Sequence, residues 1–424
     1  MRFPLLFLLA AALPAEERTL ALPDAVALAL KQNPAIILAR LEQQKAALAA
    51  RVARDPFFPK AFIGSGMAYT SGFPMSIEGA APSIVQAKGI ASLFNKPLSH
   101  RVAQTAEQAR AAAIDIELRQ NEIAHQTALL YIDAARWERA AGTLHRQVES
   151  LEKAGEAIRQ RVAAGRELEI EAKRSALAIA RARQRTESLE QQRDYAAASL
   201  ALVLGFGPED RVRPVSGEPA PLSLPESEQA SIASALDQSR ELKRIESAIL
   251  AKGHEIRSHQ AARLPTADLV AQYGLFARFN NYEDFFRKFQ RHNWQLGVAL
   301  QLPLLPSRAS QAQAAQGDIE VIRLKTQLAE TRGRITVETQ RSYRQVAVLD
   351  RAREVARLEL DVARDQVGIL LAQLEEGRAT VHQLEESRAA EQDRWIEYFD
   401  AQFALERARL ELLKHTGTLV AALR

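Results

Sequence analysis

The 424-residue sequence contains no cysteine. This removes disulfides, thiolate metal sites, cysteine nucleophiles and the lipidated N-terminal cysteine of bacterial lipoproteins. An excess of one charge is missing too: 56 basic and 52 acidic residues leave a net charge of +4, with both signs interspersed along the chain. A nucleic-acid-binding surface concentrates its basic residues in a patch instead. Beyond the N-terminus no run approaches the roughly 18 apolar residues that a membrane-spanning helix needs. Glycine-rich phosphate loops and Gly-x-Ser-x-Gly elbows are absent. His254 and His259 bracket a stretch with the look of a zinc-protease helix, but residues five apart on a helix diverge by about 140° and do not share a face. Most carboxylates have a basic residue one turn away, as in Glu149–Lys153 and Glu330–Arg334. That is the pattern of a solvated helix surface. Nothing here supports an enzyme, a metal centre or a cofactor.

What is present begins with an address. Met1-Arg2, the apolar stretch Phe3–Leu13 and the small residues Ala10, Ala11, Ala12 and Ala15 precede polar Glu16-Glu17-Arg18. Residues 1–15 read as a secretory signal peptide.

Proline is absent from Leu98 to Gly207 and from Ser307 to the C-terminus. Both tracts are rich in Ala, Leu, Glu, Gln and Arg, which favour helix. In the second, Val346, Leu349, Ala356, Leu360, Ala363, Val367, Leu370 and Leu374 form one apolar stripe at helical spacing. Each tract carries a glycine where a long helix would turn back, Gly165 and Gly377. Such lengths predict a coiled-coil rod or a tube of packed helices.

The chain also repeats itself. Asp24–Ile36 resembles Ser231–Leu242, Phe58-Pro59-Lys60-Ala61 resembles Leu264-Pro265-Thr266-Ala267, and Gly165-Arg166 resembles Gly377-Arg378 at nearly constant spacing. This predicts a duplication, residues 16–225 and 226–424, with a linker over 205–225. Each half reads helix, two strands, long helix, turn, helix. Strands are expected near 61–71, 84–95, 267–279 and 293–303, with hairpin turns near 165 and 377.

The strands of the second half alternate with period two. Leu269, Tyr273, Leu275, Val298 and Leu300 fall on one face, and Asp268, Gln272, Gln295 and Gln301 on the other. Such alternation over about 10 residues is that of a membrane β-strand, with Leu300 expected near mid-bilayer. The first half is weaker, with Ile63, Ser65, Met67 and Tyr69, then Ile84, Gln86, Lys88 and Ile90. Four strands cannot close a barrel, and lipid does not tolerate open strand edges. Several chains must then share one barrel. A secreted or periplasmic coiled-coil structural protein with a small β platform is the alternative.

The signal sequence, the start Ala29-Leu30-x-x-Asn33-Pro34-x-Ile36, the duplication, the strand pairs and the glycine turns resemble the TolC-type outer-membrane efflux proteins (outer membrane factors). The resemblance implies a mixed α and β fold: a long α-helical coiled-coil tunnel joined to a 12-stranded transmembrane barrel shared by a homotrimer. It implies a passive duct in the cell outer membrane, extending into the periplasm and docking on a periplasmic adaptor and an inner-membrane pump. No cofactor and no nucleic acid are implied. Substrates remain open among drugs, metal ions, metabolites and polypeptides. The adaptor-docking tips would be Ala164, Gly165 and Arg166 with Glu376, Gly377 and Arg378, and the periplasmic gate would comprise Glu171, Gln383 and Glu386. Where a family member carries a locking arginine, this chain has Ala379.

Overall fold

The computed structural model describes residues 17–66, 83–215, 222–276, 290–304, 308–376 and 378–423. The expected signal peptide, Met67, Tyr69, Gly377 and residues 277–279 of the third expected strand lie outside them. The described elements are β1 (Glu17–Leu20), α1 (Leu22–Gln32), α2 (Pro34–Arg54), β2 (Lys60–Gly66), β3 (Ser83–Phe94), α3 (Lys96–Ala163), α4 (Glu169–Val203) and β4 (Arg211–Pro214). There follow α5 (Glu228–Gln238), α6 (Arg240–Ala261), β5 (Thr266–Phe276), β6 (His292–Gln301), α7 (Arg308–Glu375), α8 (Val381–Thr416) and α9 (Leu419–Ala422). Helices α1 to α4 contain 11, 21, 68 and 35 residues, and α5 to α8 contain 11, 22, 68 and 36. The two proline-free tracts thus become the two 68-residue helices and their return helices. At ~1.5 Å per residue each long helix measures about 100 Å.

The chain divides into two compact units that interleave along the sequence. One comprises Met1–Leu38, Glu117–Ser239 and Arg332–Arg424; the other comprises Ala39–Ile116 and Arg240–Thr331. The first holds a hydrophobic core in which Val26, Ile36, Leu200, Leu204, Leu410, Leu413 and Leu419 are almost wholly buried. Asn33, in the motif that opened the family comparison, organises this core. Its side chain accepts from Ala35 N–H at 2.9 Å and donates to Val203 O at 2.7 Å, capping α2 and joining it to the end of α4. Pro34 suits this position, because the first residue of a helix needs no N–H partner. Gly205 then ends α4 with φ 86°, and a Cβ there would lie 3.0 Å from Gln32 O. Only glycine fits both demands.

Within the expected linker, β4 pairs in parallel with β1, from Glu17↔Arg211 to Leu20↔Pro214. Val212 is fully buried, and Tyr131 closes the pair by donating to Leu20 O at 3.0 Å and accepting from Val215 N–H at 3.3 Å. The sequence reading missed both strands, since four residues are too few to establish a period.

The second unit contains a four-stranded antiparallel sheet in the order β2-β3-β5-β6. Below it α6 lies along the start of α3. Ser258 Oγ donates to Pro97 O at 2.8 Å, Ser247 Oγ to Glu107 O at 3.0 Å, and Gln104 Nε2 to Glu255 at 2.9 Å. No described helix is long and apolar enough to cross a membrane.

Candidate membrane face and hairpin tips

Residues opposite one another in an antiparallel ladder project to the same side of the sheet. Leu269 lies opposite Ala91 and Val298, Ala271 opposite Gly89 and Leu296, and Tyr273 opposite Ala87 and Trp294. Ala61 and Ile63 join this side through Gly89 and Ala87. The result is a continuous apolar face. On β6, Trp294, Leu296, Val298 and Leu300 are all more than half exposed. The opposite face carries the row Lys88, Gln272 and Gln295 and the row Ser92, Asp268 and Ala299, with Gln301 opposite Thr266. Phe62, opposite Lys88, and the paired Ile90 and Val270 interrupt it.

The residues expected on opposite faces are therefore on opposite faces, but one depth changes. Leu300, opposite Ala267, is one rung from the end of the ladder, where Thr266 meets Gln301. The middle row is Gly89, Ala271 and Leu296. The 11 residues of β5 rise about 25 Å when tilted by about 45°, the height of a barrel's apolar band.

Among the described residues both edges of this sheet are unpaired, β2 at one side and β6 at the other.

At the first hairpin, α3 ends in two backbone bonds. Gly165 N–H donates to Val162 O at 2.9 Å and Arg166 N–H to Arg161 O at 2.8 Å. This Schellman arrangement needs a left-handed residue, and Gly165 supplies it with φ 70°. No atom stands within 4 Å of a Cβ built there, so conformation rather than crowding demands the glycine. Ala164 and Arg166 are exposed beside it. So are Leu168 (71%) and Ile170 (47%), two apolar tip residues that the sequence reading did not single out.

At the second hairpin, Arg378 N–H donates to Gln373 O at 2.8 Å, the same five-residue step as at Arg166. The Arg378 guanidinium bonds the Glu376 carboxylate, and both are exposed. Thr380 then caps α8: its hydroxyl accepts from Gln383 N–H at 3.2 Å, while Gln383 Oε1 accepts from Thr380 N–H at 2.9 Å. Gln383 is thus engaged in a capping box, worth about 1 kcal/mol of helix start. The Thr-x-x-Gln spacing carried that signal in the sequence.

The two acids expected at the gate each pair within their own helix. Glu171 accepts from Arg174 at 2.7 Å. Glu386 lies 3.3 Å from His382 Nε2, and its side chain is 68% exposed. Next to it, Glu385 is mostly buried; it accepts from Arg388 at 3.1 Å, and Arg388 also reaches Ser150 at 3.3 Å. Burial pushes the Glu385 carboxyl up from its ordinary value, opposed by Arg388. Higher up the same unit, Arg185–Asp393 at 2.6 Å links α4 to α8, and Arg394–Glu359 at 3.0 Å links α8 to α7. Among the described residues no group of three or more His, Asp or Glu side chains is arranged to hold a metal ion.

No protein-family model matches the sequence, and no curated protein matches it. Solved structures do match. A membrane protein from Pseudomonas aeruginosa superposes with TM-score 0.76 at 16% identity, over 93% of this chain and 92% of that one. CusC, described in terms of transmembrane channel formation, gives 0.77 at 13% identity over 93% and 91%. The CmeC outer membrane channel of Campylobacter jejuni gives 0.74 at 13% identity over 94% and 86%. The chain has the fold of these membrane proteins, a largely helical body with a small sheet.

Proposed function

We propose that this chain is a TolC-type outer membrane factor: a passive duct in the outer membrane through which substrates leave the periplasm. Three chains contribute four strands each to a 12-stranded barrel, and their helical hairpins continue it as a periplasmic tunnel. The observation that carries this reading is the four-stranded sheet, apolar on one face and largely polar on the other, with both edges open. An exposed sheet of that kind satisfies neither water nor lipid alone, whereas closure with copies of itself satisfies both. A second feature supports it. On α7, Val348, Val355, Val362 and Ile369 recur every seven residues and are more than half exposed. This is a heptad seam that no described residue of the chain covers. The likeness to outer-membrane channels is consistent with both.

In this reading the tips at Ala164-Gly165-Arg166 and Glu376-Gly377-Arg378, with exposed Leu168 and Ile170, meet a periplasmic adaptor that connects to an inner-membrane pump. Glu386 and Glu171 face the narrowed periplasmic mouth, and Gln383 shapes that mouth by capping α8. Native mass measurement of detergent-extracted protein, followed by conductance in planar bilayers, tests the proposal. A trimer that conducts is expected. A stable monomer retaining its β signal, or a soluble elongated species, would refute it and favour the coiled-coil structural alternative.

A further inference from the structure

Where the apolar sheet face ends, positive charge begins. Phe94 and Leu300 both lie opposite Ala267, in the last apolar row of that face. The Lys96 ammonium sits 5.9 Å from the centre of the Phe94 ring. One turn further along α3, His100 stacks against His254 of α6, with ring centres 6.1 Å apart and planes at 32°. The His100 imidazole is pushed below its ordinary pKa by burial first, then by His254, Arg257 and Lys96. Lys96 and His100 are four residues apart on α3, His254 and Arg257 three apart on α6, so each pair shares a helix face, and the His100–His254 contact brings the two faces together. The carboxylate on this stretch of α6, Glu255, is already held by Lys252 at 2.8 Å and Gln104 at 2.9 Å. Lys96 and Arg257 are exposed.

We propose that Lys96, His100, His254 and Arg257 form a headgroup site for an anionic phospholipid of the leaflet nearest the helices. The inference rests on the reading of the apolar face as lipid-facing. The chemistry fits at both ends of the lipid. Acyl chains lie along Phe94 and Leu300, and the phosphate falls at the level where the Lys96 stem lifts its ammonium off the aromatic ring. Arg257 supplies a planar fork that matches two phosphate oxygens, while Lys96 supplies a point charge. A zwitterionic headgroup brings its own cation and neutralises less of this charge.

The test uses the assembled protein in nanodiscs of equal phosphatidylglycerol and phosphatidylcholine, with native mass spectrometry reading the lipids retained on release. The unaltered protein is expected to retain phosphatidylglycerol several-fold over phosphatidylcholine. The Lys96→Gln/Arg257→Gln variant should fall towards parity with its assembly mass unchanged. The milder Lys96→Gln, at an exposed position, should lose part of the preference without any burden on folding. Equal retention by the unaltered protein, or undiminished preference in both variants, would overturn the headgroup site while leaving the membrane reading intact. Failure to enter any bilayer would overturn both.

Discussion

A single arginine placed on either side of one rung separates the two sheet faces cleanly. Leu296 lies in the middle row of the ladder, opposite Ala271, and its neighbour Gln295, opposite Gln272, points to the other face. Leu296→Arg puts a guanidinium at the centre of the apolar band, where the cost is about 2–4 kcal/mol per chain. In the proposed trimer the three copies raise this to roughly 6–12 kcal/mol per assembly, enough to prevent insertion of a marginal one. Gln295→Arg adds the same charge to an aqueous face and should cost a few tenths of a kcal/mol. Leu300→Arg, one rung from the ladder end, should cost only about 0–1 kcal/mol. Urea-dependent refolding into vesicles, followed by strand signal and protease resistance, ranks the three. The absence of cysteine permits an independent readout from single Leu296→Cys and Gln295→Cys variants. A water-soluble maleimide should modify the second and spare the first. Equal costs for Leu296→Arg and Gln295→Arg, or labelling in the reverse order, would refute the assignment of faces.

Other outcomes follow from the first unit. Gly165→Glu puts a bulky acid on the proposed docking tip and forces a left-handed side chain at a cost of about 1–2 kcal/mol, so export should fail while trimer mass is unchanged and thermal stability falls only modestly; normal export would make Gly165 a structural cap only. Glu386→Gln should reduce cation selectivity in planar bilayers, since three carboxylates in a narrow mouth concentrate cations; unchanged selectivity would place Glu386 away from the constriction. The Glu411 carboxylate lies 3.0 Å from His125 Nε2 and 3.4 Å from His415 Nε2, and these imidazoles hold it well below the usual range. A depressed carboxylate stabilises the fold above its unfolded pKa of about 4.3, and that contribution disappears as the pH falls through the folded value. Glu411→Gln should then cost about 1 kcal/mol at pH 7, discounted for partial exposure, and progressively less below pH ~4; urea titrations showing a pH-independent deficit would refute the linkage.

How far the sequence announced this architecture depends on the length of each pattern. The helices were legible because the absence of proline over two long tracts leaves few other structures open, and β5 and β6 because their alternation runs unbroken. The strands β2 and β3 were faint for physical reasons. Gly64, Gly66 and Gly89 contribute no side chain to the pattern, and the ladder shifts register between Gly64 and Gly66 and between Ser83 and Val85. At the tips, repetition marks Gly165 and Arg378, whereas the capping role of Gln383 is legible only through Thr380 three residues earlier and not through the family resemblance. The exposed seam on α7 was missed for a different reason. One stripe comprises Leu349, Ala356, Leu360 and Ala363, which are buried or half-buried. The second stripe is offset by one residue, with Val348 beside Leu349, Val355 beside Ala356 and Val362 beside Ala363. One residue is a rotation of about 100°, so the two stripes point to different neighbours. A helix that is apolar in two directions requires packing on two sides, and among the described residues only one side is met. The unmet side, one residue away from the stripe that suggests a simple amphipathic helix, is the one that the proposed assembly with further copies of the chain covers.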